Sequence, residues 1–433
     1  MSTDSDDNLE IPATSRRDLM MGGVGALALA SFTTESGSAF AKGPSRNFAL
    51  PPANETVAPF KVRVSQALLN DLRTRLALTR WPDKETSSGW AQGVPLSKAQ
   101  WLIEHWSKHH DWRSFEELID GIPQFRTSLD GLGIHFLHIR SKHEGALPLL
   151  LTHGWPGSFI EFLDVIAPLT DPTAHGGKAE DAFHVVIPSL PGYGFSDKPE
   201  ATGWGLPRIA GAWHLLMERL GYHRYVAQGG DWGAGVVTWM AKQQPTGLLG
   251  IHLNLPILFP PPGADDGGYS AAEQGALAQL VKFSTDGSAY AAMQSTRPQT
   301  LGYGLADSPA AQAMWIFEKF QSWTDNSGDV TEVIPVTRLL DNISLYWLTN
   351  TGTSSARLYY ESFREDFVRT ELSLPVAVSI FKGDSFTPPR SWGERTYSNL
   401  IYWSEVAKGG HFAAFEQPAL FTVELRRSFR LLR

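Results

Sequence analysis

Gln228-Gly229-Gly230-Asp231-Trp232-Gly233 follows a short apolar run, Tyr225–Gln228, and precedes a helical pattern from about Ala234 to Gln244. An acid between small residues at a strand-to-helix turn suits a side chain held out as a nucleophile. Such a turn is sharp, and it brings the backbone close to neighbouring strands. Gly229 and Gly233 leave room for that approach while Asp231 projects from the apex. Taken alone, the hexapeptide fits a second reading equally well: a glycine-rich turn in which Asp231 caps the helix.

Distant segments weigh against that second reading. Val376–Phe381 has the pattern of a strand and runs into Lys382-Gly383-Asp384, while Lys408-Gly409-Gly410-His411-Phe412 follows the last strand-like run. The chain order Asp231, Asp384, His411 is that of nucleophile, acid and base in α/β-hydrolases. His411 lies 27 residues after Asp384, enough for one helix and one strand. Each acid closes a strand at its C-terminal end, where open α/β sheets place their sites. Upstream, Thr152-His153-Gly154-Trp155-Pro156-Gly157 also follows a strand. The backbone N–H groups of Trp155 and Trp232 are the expected oxyanion hole. An ordinary turn into a helix is the alternative for that segment.

Strands are predicted at Ile134–Ile139, Leu147–Thr152, Phe183–Leu190, Tyr225–Gln228, Leu249–Asn254, Val376–Phe381 and Leu400–Ser404. Amphipathic patterns such as Phe159–Leu169 and Leu206–Leu220 lie between several of them. Apolar strands alternating with helices predict a mostly parallel sheet covered on both faces. The alternation lapses from about Pro256 to Glu365, a helical, aromatic stretch rich in Pro and Gly. It is expected to be a helical lid inserted between two sheet strands. Ahead of the sheet, helical patterns at Ser65–Leu78, Ser97–His110 and Trp112–Ile119 predict an N-terminal helical segment. The expected organisation is an N-terminal segment at 42–140, the core at 141–255 and 366–433, and the lid at 256–365.

Residues 1–41 have the pattern of an address. Arg16-Arg17 precede an apolar run, Met20–Phe32, and Ala39-Phe40-Ala41 forms a small-residue cleavage site. The run is far shorter than the roughly 20 residues a spanning helix needs. This order of features resembles a bacterial twin-arginine signal, which implies export to the periplasm and a mature chain from Lys42. The rest of the chain has no long uninterrupted apolar stretch, so no membrane span is expected.

Composition excludes several functions. The 433 residues are 42% hydrophobic, enough for a sizeable core. Lys plus Arg number 37 and Asp plus Glu 45, giving a net charge of −8 with no basic block, so nucleic acid is not an expected partner. The absence of cysteine excludes disulfides, thiolate metal sites and a Cys nucleophile. His105, His109 and His110 cluster without an H-E-x-x-H pattern and are read as surface or packing residues; neither a metal nor a cofactor is expected. The 15 Trp, 11 Tyr and 23 Phe supply either plain core or walls for an apolar ligand.

An Asp nucleophile narrows the chemistry. A carboxylate attacks amides and esters poorly, but it can displace at a strained or activated sp³ carbon. The product is an alkyl–enzyme ester, which water activated by a His–Asp pair can hydrolyse. Epoxides and alkyl halides are the substrates such a site suits.

The chain resembles the epoxide hydrolases of the microsomal type over about residues 58 to 430. The resemblance is carried by Leu72-Arg73-Thr74-Arg75-Leu76, Thr79-Arg80-Trp81-Pro82-Asp83, Asp111-Trp112-Arg113 and Pro123-Gln124-Phe125 in the N-terminal segment. Asp120 departs from the Asn usual in that family. His153-Gly154-Trp155-Pro156, Gly229-Gly230-Asp231-Trp232-Gly233 and Gly410-His411-Phe412-Ala413-Ala414-Phe415-Glu416 match its catalytic blocks. Two further motifs lie in the lid, Tyr290–Thr300 and Ala356-Arg357-Leu358-Tyr359-Tyr360-Glu361. The resemblance implies that two lid tyrosines, Tyr290 and Tyr359, donate hydrogen bonds to the epoxide oxygen; the adjacent Tyr360 competes for the second role. The family acid is Glu or Asp, and Asp384 fits better than Asp366 or Asp341. The implied substrate is a small apolar epoxide, with water; the oligomeric state stays open, a homo-oligomer included. Two alternatives remain. A haloalkane dehalogenase also uses an Asp nucleophile, and Trp232 stands where such enzymes place a halide donor. A non-catalytic binding protein of the same fold is disfavoured by the intact Asp231, Asp384 and His411.

Overall fold

A computed structural model describes residues 48–260, 268–363 and 372–433. The proposed export signal, 1–41, and Asp366 lie outside the described residues. The strands are β1 (Ala58–Pro59), β2 (Gln124–Leu129), β3 (Leu132–Ile139), β4 (Leu147–Thr152), β5 (Phe183–Pro188), β6 (Tyr225–Gly229), β7 (Leu248–Leu253), β8 (Val376–Phe381) and β9 (Leu400–Val406). They form one sheet in the order β1-β2-β3-β5-β4-β6-β7-β8-β9. The first three pairings, up to β3–β5, are antiparallel and the rest are parallel.

The parallel half explains the apolar runs. Leu149 of β4 sits opposite Val185 of β5 and Val226 of β6, and all three are fully buried. Strands covered on both faces need apolar residues at every position, not at alternate ones. β4 is also the switch point of the sheet. Its crossover to β5 goes one way and the next, to β6, goes the other, so the loops after β4 and β6 emerge side by side. Open α/β sheets bind ligands in such a crevice.

The N-terminal segment holds the predicted helices and, beside the predicted strand Ile134–Ile139, two strands that carry no apolar pattern. Helices Gln66–Ala77, Leu96–Lys108 and Trp112–Asp120 are present, with the side chain of Ser65 capping the first. The same segment also supplies β1, β2 and β3. The hairpin β2–β3 turns through Asp130 and Gly131, both with positive φ (49° and 78°), as a two-residue Asp-Gly turn requires. Gln124–Leu129 lacks an apolar signature because its buried positions include polar side chains: Arg126 is held by Asp197 at 2.6 Å, and Gln124 by the carbonyl of Ile119 at 2.9 Å.

Between β7 and β8 the lid contains helices Ala271–Lys282, Ala289–Thr296, Pro298–Asp307, Pro309–Trp323, Val336–Leu348 and Gly352–Ser362. The N-terminal helices anchor it. Trp106 Nε1 donates to Ser344 Oγ at 2.8 Å, and His110 Nε2 lies 2.9 Å from Asp341. His110 and Asp341 are thus committed to each other. His105 packs its ring against Trp101 and His109. No described helix is long and apolar enough to cross a membrane.

Candidate active site

Strand β6 ends at Gly229, and helix Trp232–Gln243 begins three residues later. Asp231 fills the corner with φ 49° and ψ −128°, a conformation that non-glycine residues rarely adopt. The glycines around it have no room for a side chain. A Cβ on Gly229 would strike the Gly233 carbonyl, and one on Gly233 the Thr152 carbonyl at the end of β4. One on Gly154 would strike the Asp231 carboxylate itself. The helix N-terminus behind Asp231 favours its negative charge.

Two groups hold that carboxylate. Trp155 N–H donates to Oδ1 at 2.8 Å, and His411 Nε2 lies 3.3 Å from Oδ2. The loop carrying Trp155 has a cis peptide before Pro156. It is fixed by His153, whose ring accepts from Leu190 N–H at Nε2 and therefore donates from Nδ1 to the Gly154 carbonyl, at 3.2 and 2.9 Å. Burial pushes the His153 pKa down to about 4, so that ring is neutral.

On its other side, His411 Nδ1 lies 3.2 Å from Asp384 Oδ1. Ser385 N–H donates to the same oxygen at 2.7 Å. Burial opposes a charge on His411, but the carboxylates of Asp384 and Asp231 outweigh it and raise the imidazole pKa well above its usual range. The His411 loop is secured by Glu416, whose carboxyl accepts from the N–H groups of Gly410, Phe412 and Asp325.

The lid closes over this group with aromatic rings. Tyr290 stacks on Trp155 at 5.2 Å between centroids, and Tyr359 meets Trp232 edge-to-face at 4.6 Å. The two tyrosine rings are 5.8 Å apart. Burial, then the negative charge of Asp231, raises the Tyr290 pKa; burial also raises that of Tyr359. Both phenols therefore stay protonated and can donate. Tyr359 shares ring contacts with Trp155, Trp232 and Tyr290, whereas Tyr360 is one step, or about 100°, further round the helix and half-buried.

The structure brings Asp231, His411, Asp384, Tyr290, Tyr359, Trp155 and Trp232 to one place. Three neighbours carry no signal in the sequence. Trp323 lies 4.9 Å from the His411 ring. The Lys319 ammonium sits 4.5 Å over the Tyr290 ring and is paired with Glu318. Glu161 is buried and lines a cavity with Asp231, and its burial pushes its pKa up to about 8. Among the described residues no cluster of metal-ligating side chains occurs.

A carboxylate at a strand-to-helix elbow, backed by a His–Asp pair and roofed by helical tyrosines, defines an enzyme of the α/β-hydrolase fold. Residues 57–162 match the family described as Epoxide hydrolase N terminus, and residues 148–287 match the alpha/beta hydrolase fold. The chain is 58% identical over 424 residues to a Stigmatella aurantiaca protein that carries an epoxide hydrolase assignment, covering 98% of this chain and 96% of that one. It is 35% identical to Epoxide hydrolase 1 of Sus scrofa, covering 88% of this chain and 90% of that one. The solved structure of Aspergillus niger epoxide hydrolase superposes with a TM-score of 0.79 at 35% identity, over 88% of this chain and 98% of that one. The chain belongs to the epoxide hydrolases, of the microsomal type, and is a hydrolase.

Proposed function

We propose that the protein converts small apolar epoxides to vicinal diols in two steps, through an ester on Asp231, and that it works in the periplasm after export. The observation that carries the mechanism is the Asp231 carboxylate, held between Trp155 N–H and His411 Nε2 beneath two protonated phenols.

In the first step an Asp231 oxygen bonds to an epoxide carbon and the ring C–O bond breaks. The released oxygen takes a proton from Tyr290 or Tyr359. Esterification removes the charge on Asp231 that helped keep His411 protonated. His411 then gives up its proton, which returns the tyrosinate to its phenol form. In the second step neutral His411 takes a proton from water, and the hydroxide adds to Cγ of Asp231. Trp155 N–H, with that of Trp232, stabilises the developing oxyanion. Collapse breaks the Cγ–O bond to the alkyl group, whose oxygen takes the proton from His411 and leaves as the diol; the remaining carboxyl proton passes to His411, which regenerates the Asp231 carboxylate. Asp384 orients the ring and supports its positive charge.

The test separates the two steps. With a panel of apolar epoxides, His411→Gln is expected to accumulate a covalent adduct heavier by the whole epoxide, on the peptide containing Asp231; Asp231→Ala should form none. In one wild-type turnover in heavy-oxygen water, the diol should carry the former Asp231 oxygen and the enzyme should keep the label. Label in the first-turnover diol, with no adduct in His411→Gln, would make Asp231 a general base and overturn the proposal.

A further inference from the structure

We infer that Glu161 is the positioning residue for the hydrolytic water: its carboxyl group forms the polar wall of a chamber beside the Asp231–His411 pair and serves ester hydrolysis, not ring opening. The inference rests on the two-step reading above.

Glu161 lies in the 3₁₀ turn Phe159–Phe162, directly after the loop that carries Trp155. Ser158 starts that turn, its Oγ accepting from Ile160 N–H at 3.2 Å. From there the Glu161 side chain folds back over the loop. Its carboxyl occupies the place where a Cβ on residue 157 would stand, so Gly157 is what allows the fold-back. The carboxyl thus reaches a cavity lined by Trp155, Glu161, Asp231, Asn254, His411 and Thr152, with room for a water molecule. The wall also contains a buried polar atom in need of a partner, Thr152 Oγ1, which makes no hydrogen bond within the protein.

Ester hydrolysis needs more than a base. His411 takes one proton of the water, but attack on Cγ also requires a lone pair aimed at that carbon. A second polar contact to the water fixes its rotation. Of the side chains lining the cavity, Glu161 carries the one carboxyl group outside the catalytic pair. A carboxyl kept neutral at pH 7 suits the task. It offers a carbonyl acceptor and an O–H donor, and it places no second anion beside the nucleophile.

Rapid-quench mass measurement of the ester, with a single epoxide shown to trap on His411→Gln, reads both steps. Glu161→Leu is expected to alkylate within about threefold of wild type but to hydrolyse the ester roughly 10- to 100-fold slower, so that ester accumulates in the steady state. Glu161→Gln keeps the acceptor and a donor at neutral charge, and should hydrolyse within a few-fold of wild type. Gly157→Ala tests the same geometry without touching the carboxyl. Its φ is not positive, so the backbone accepts Ala, but the new methyl displaces the Glu161 head group. It should show the same defect confined to hydrolysis. Wild-type ester hydrolysis in Glu161→Leu, equal slowing of both steps, or a Gln variant as impaired as Leu would overturn the inference. Absence of any adduct on His411→Gln would instead overturn the two-step reading.

Discussion

His411 sits between two carboxylates, only one of which keeps its charge throughout the proposed cycle. Asp384 Oδ1 at 3.2 Å is permanent, whereas the Asp231 charge at 3.3 Å disappears when the ester forms. The residue that must be neutral in hydrolysis is therefore released from half of its acidic company at the right moment. The tyrosines have the opposite requirement, since they must donate while Asp231 attacks. Either Tyr290→Phe or Tyr359→Phe is expected to slow ester formation by about 10- to 100-fold, and to change hydrolysis of pre-formed ester much less. The double variant should lose less than the product of the single effects, because both donors act on one oxygen. Wild-type ring opening by the double variant, or a loss in Tyr360→Phe in place of Tyr359→Phe, would show the assignment to be wrong. These residues were legible because each falls in a short motif with its own logic. Glu161 and Lys319 were not. The first reaches the site by folding back over a glycine, and the second by packing of Pro309–Trp323 against Tyr290. Neither contact leaves a trace in local spacing.

Among the elements, the turn after β6 couples fold and chemistry most tightly. Its strained Asp231 is held by backbone contacts that leave no space at Gly229 or Gly233, and its own carboxylate fills the space at Gly154. Gly233→Ala is expected to destabilise the protein by about 3 kcal/mol or more, since the methyl meets the rigid carbonyl of Thr152 and cannot be relieved by a rotamer change. Gly275→Ala is the control. It lies inside helix Ala271–Lys282 with open space around its Cβ position, and should be neutral or stabilising by up to about 1 kcal/mol. Denaturant unfolding of the two variants checks this; equal midpoints would mean that the turn is not under the constraint described. The parallel strands were legible because burial on both faces makes them continuous apolar runs. The strand β2 was not, because Arg126 and Gln124 are buried there as satisfied polar groups. An alternation rule that equates buried with apolar passes over such a strand.

At the scale of the molecule, the N-terminal helices are tied to the lid through Trp106–Ser344 and His110–Asp341, so segments far apart in sequence share the task of roofing the site. All of the proposed catalytic residues lie between Trp155 and His411, well after Arg16-Arg17. Export and catalysis should therefore be separable. A chain with no cysteine has no thiols for an oxidising compartment to pair or modify, so redox conditions do not distinguish the two sides of the inner membrane for it. Replacing Arg16 and Arg17 together with Lys is expected to leave the protein in the cytoplasm of a host with the twin-arginine system, and still active on epoxides in lysate. The wild-type protein should fractionate with the periplasm and begin at Lys42 on N-terminal sequencing. A twin-Lys variant that fractionates like wild type would remove the twin-arginine route. A periplasmic protein still starting at Met1 would remove the cleavage. A cytoplasmic variant without activity would show that Arg16 and Arg17, or removal of the segment that holds them, matter for more than transport.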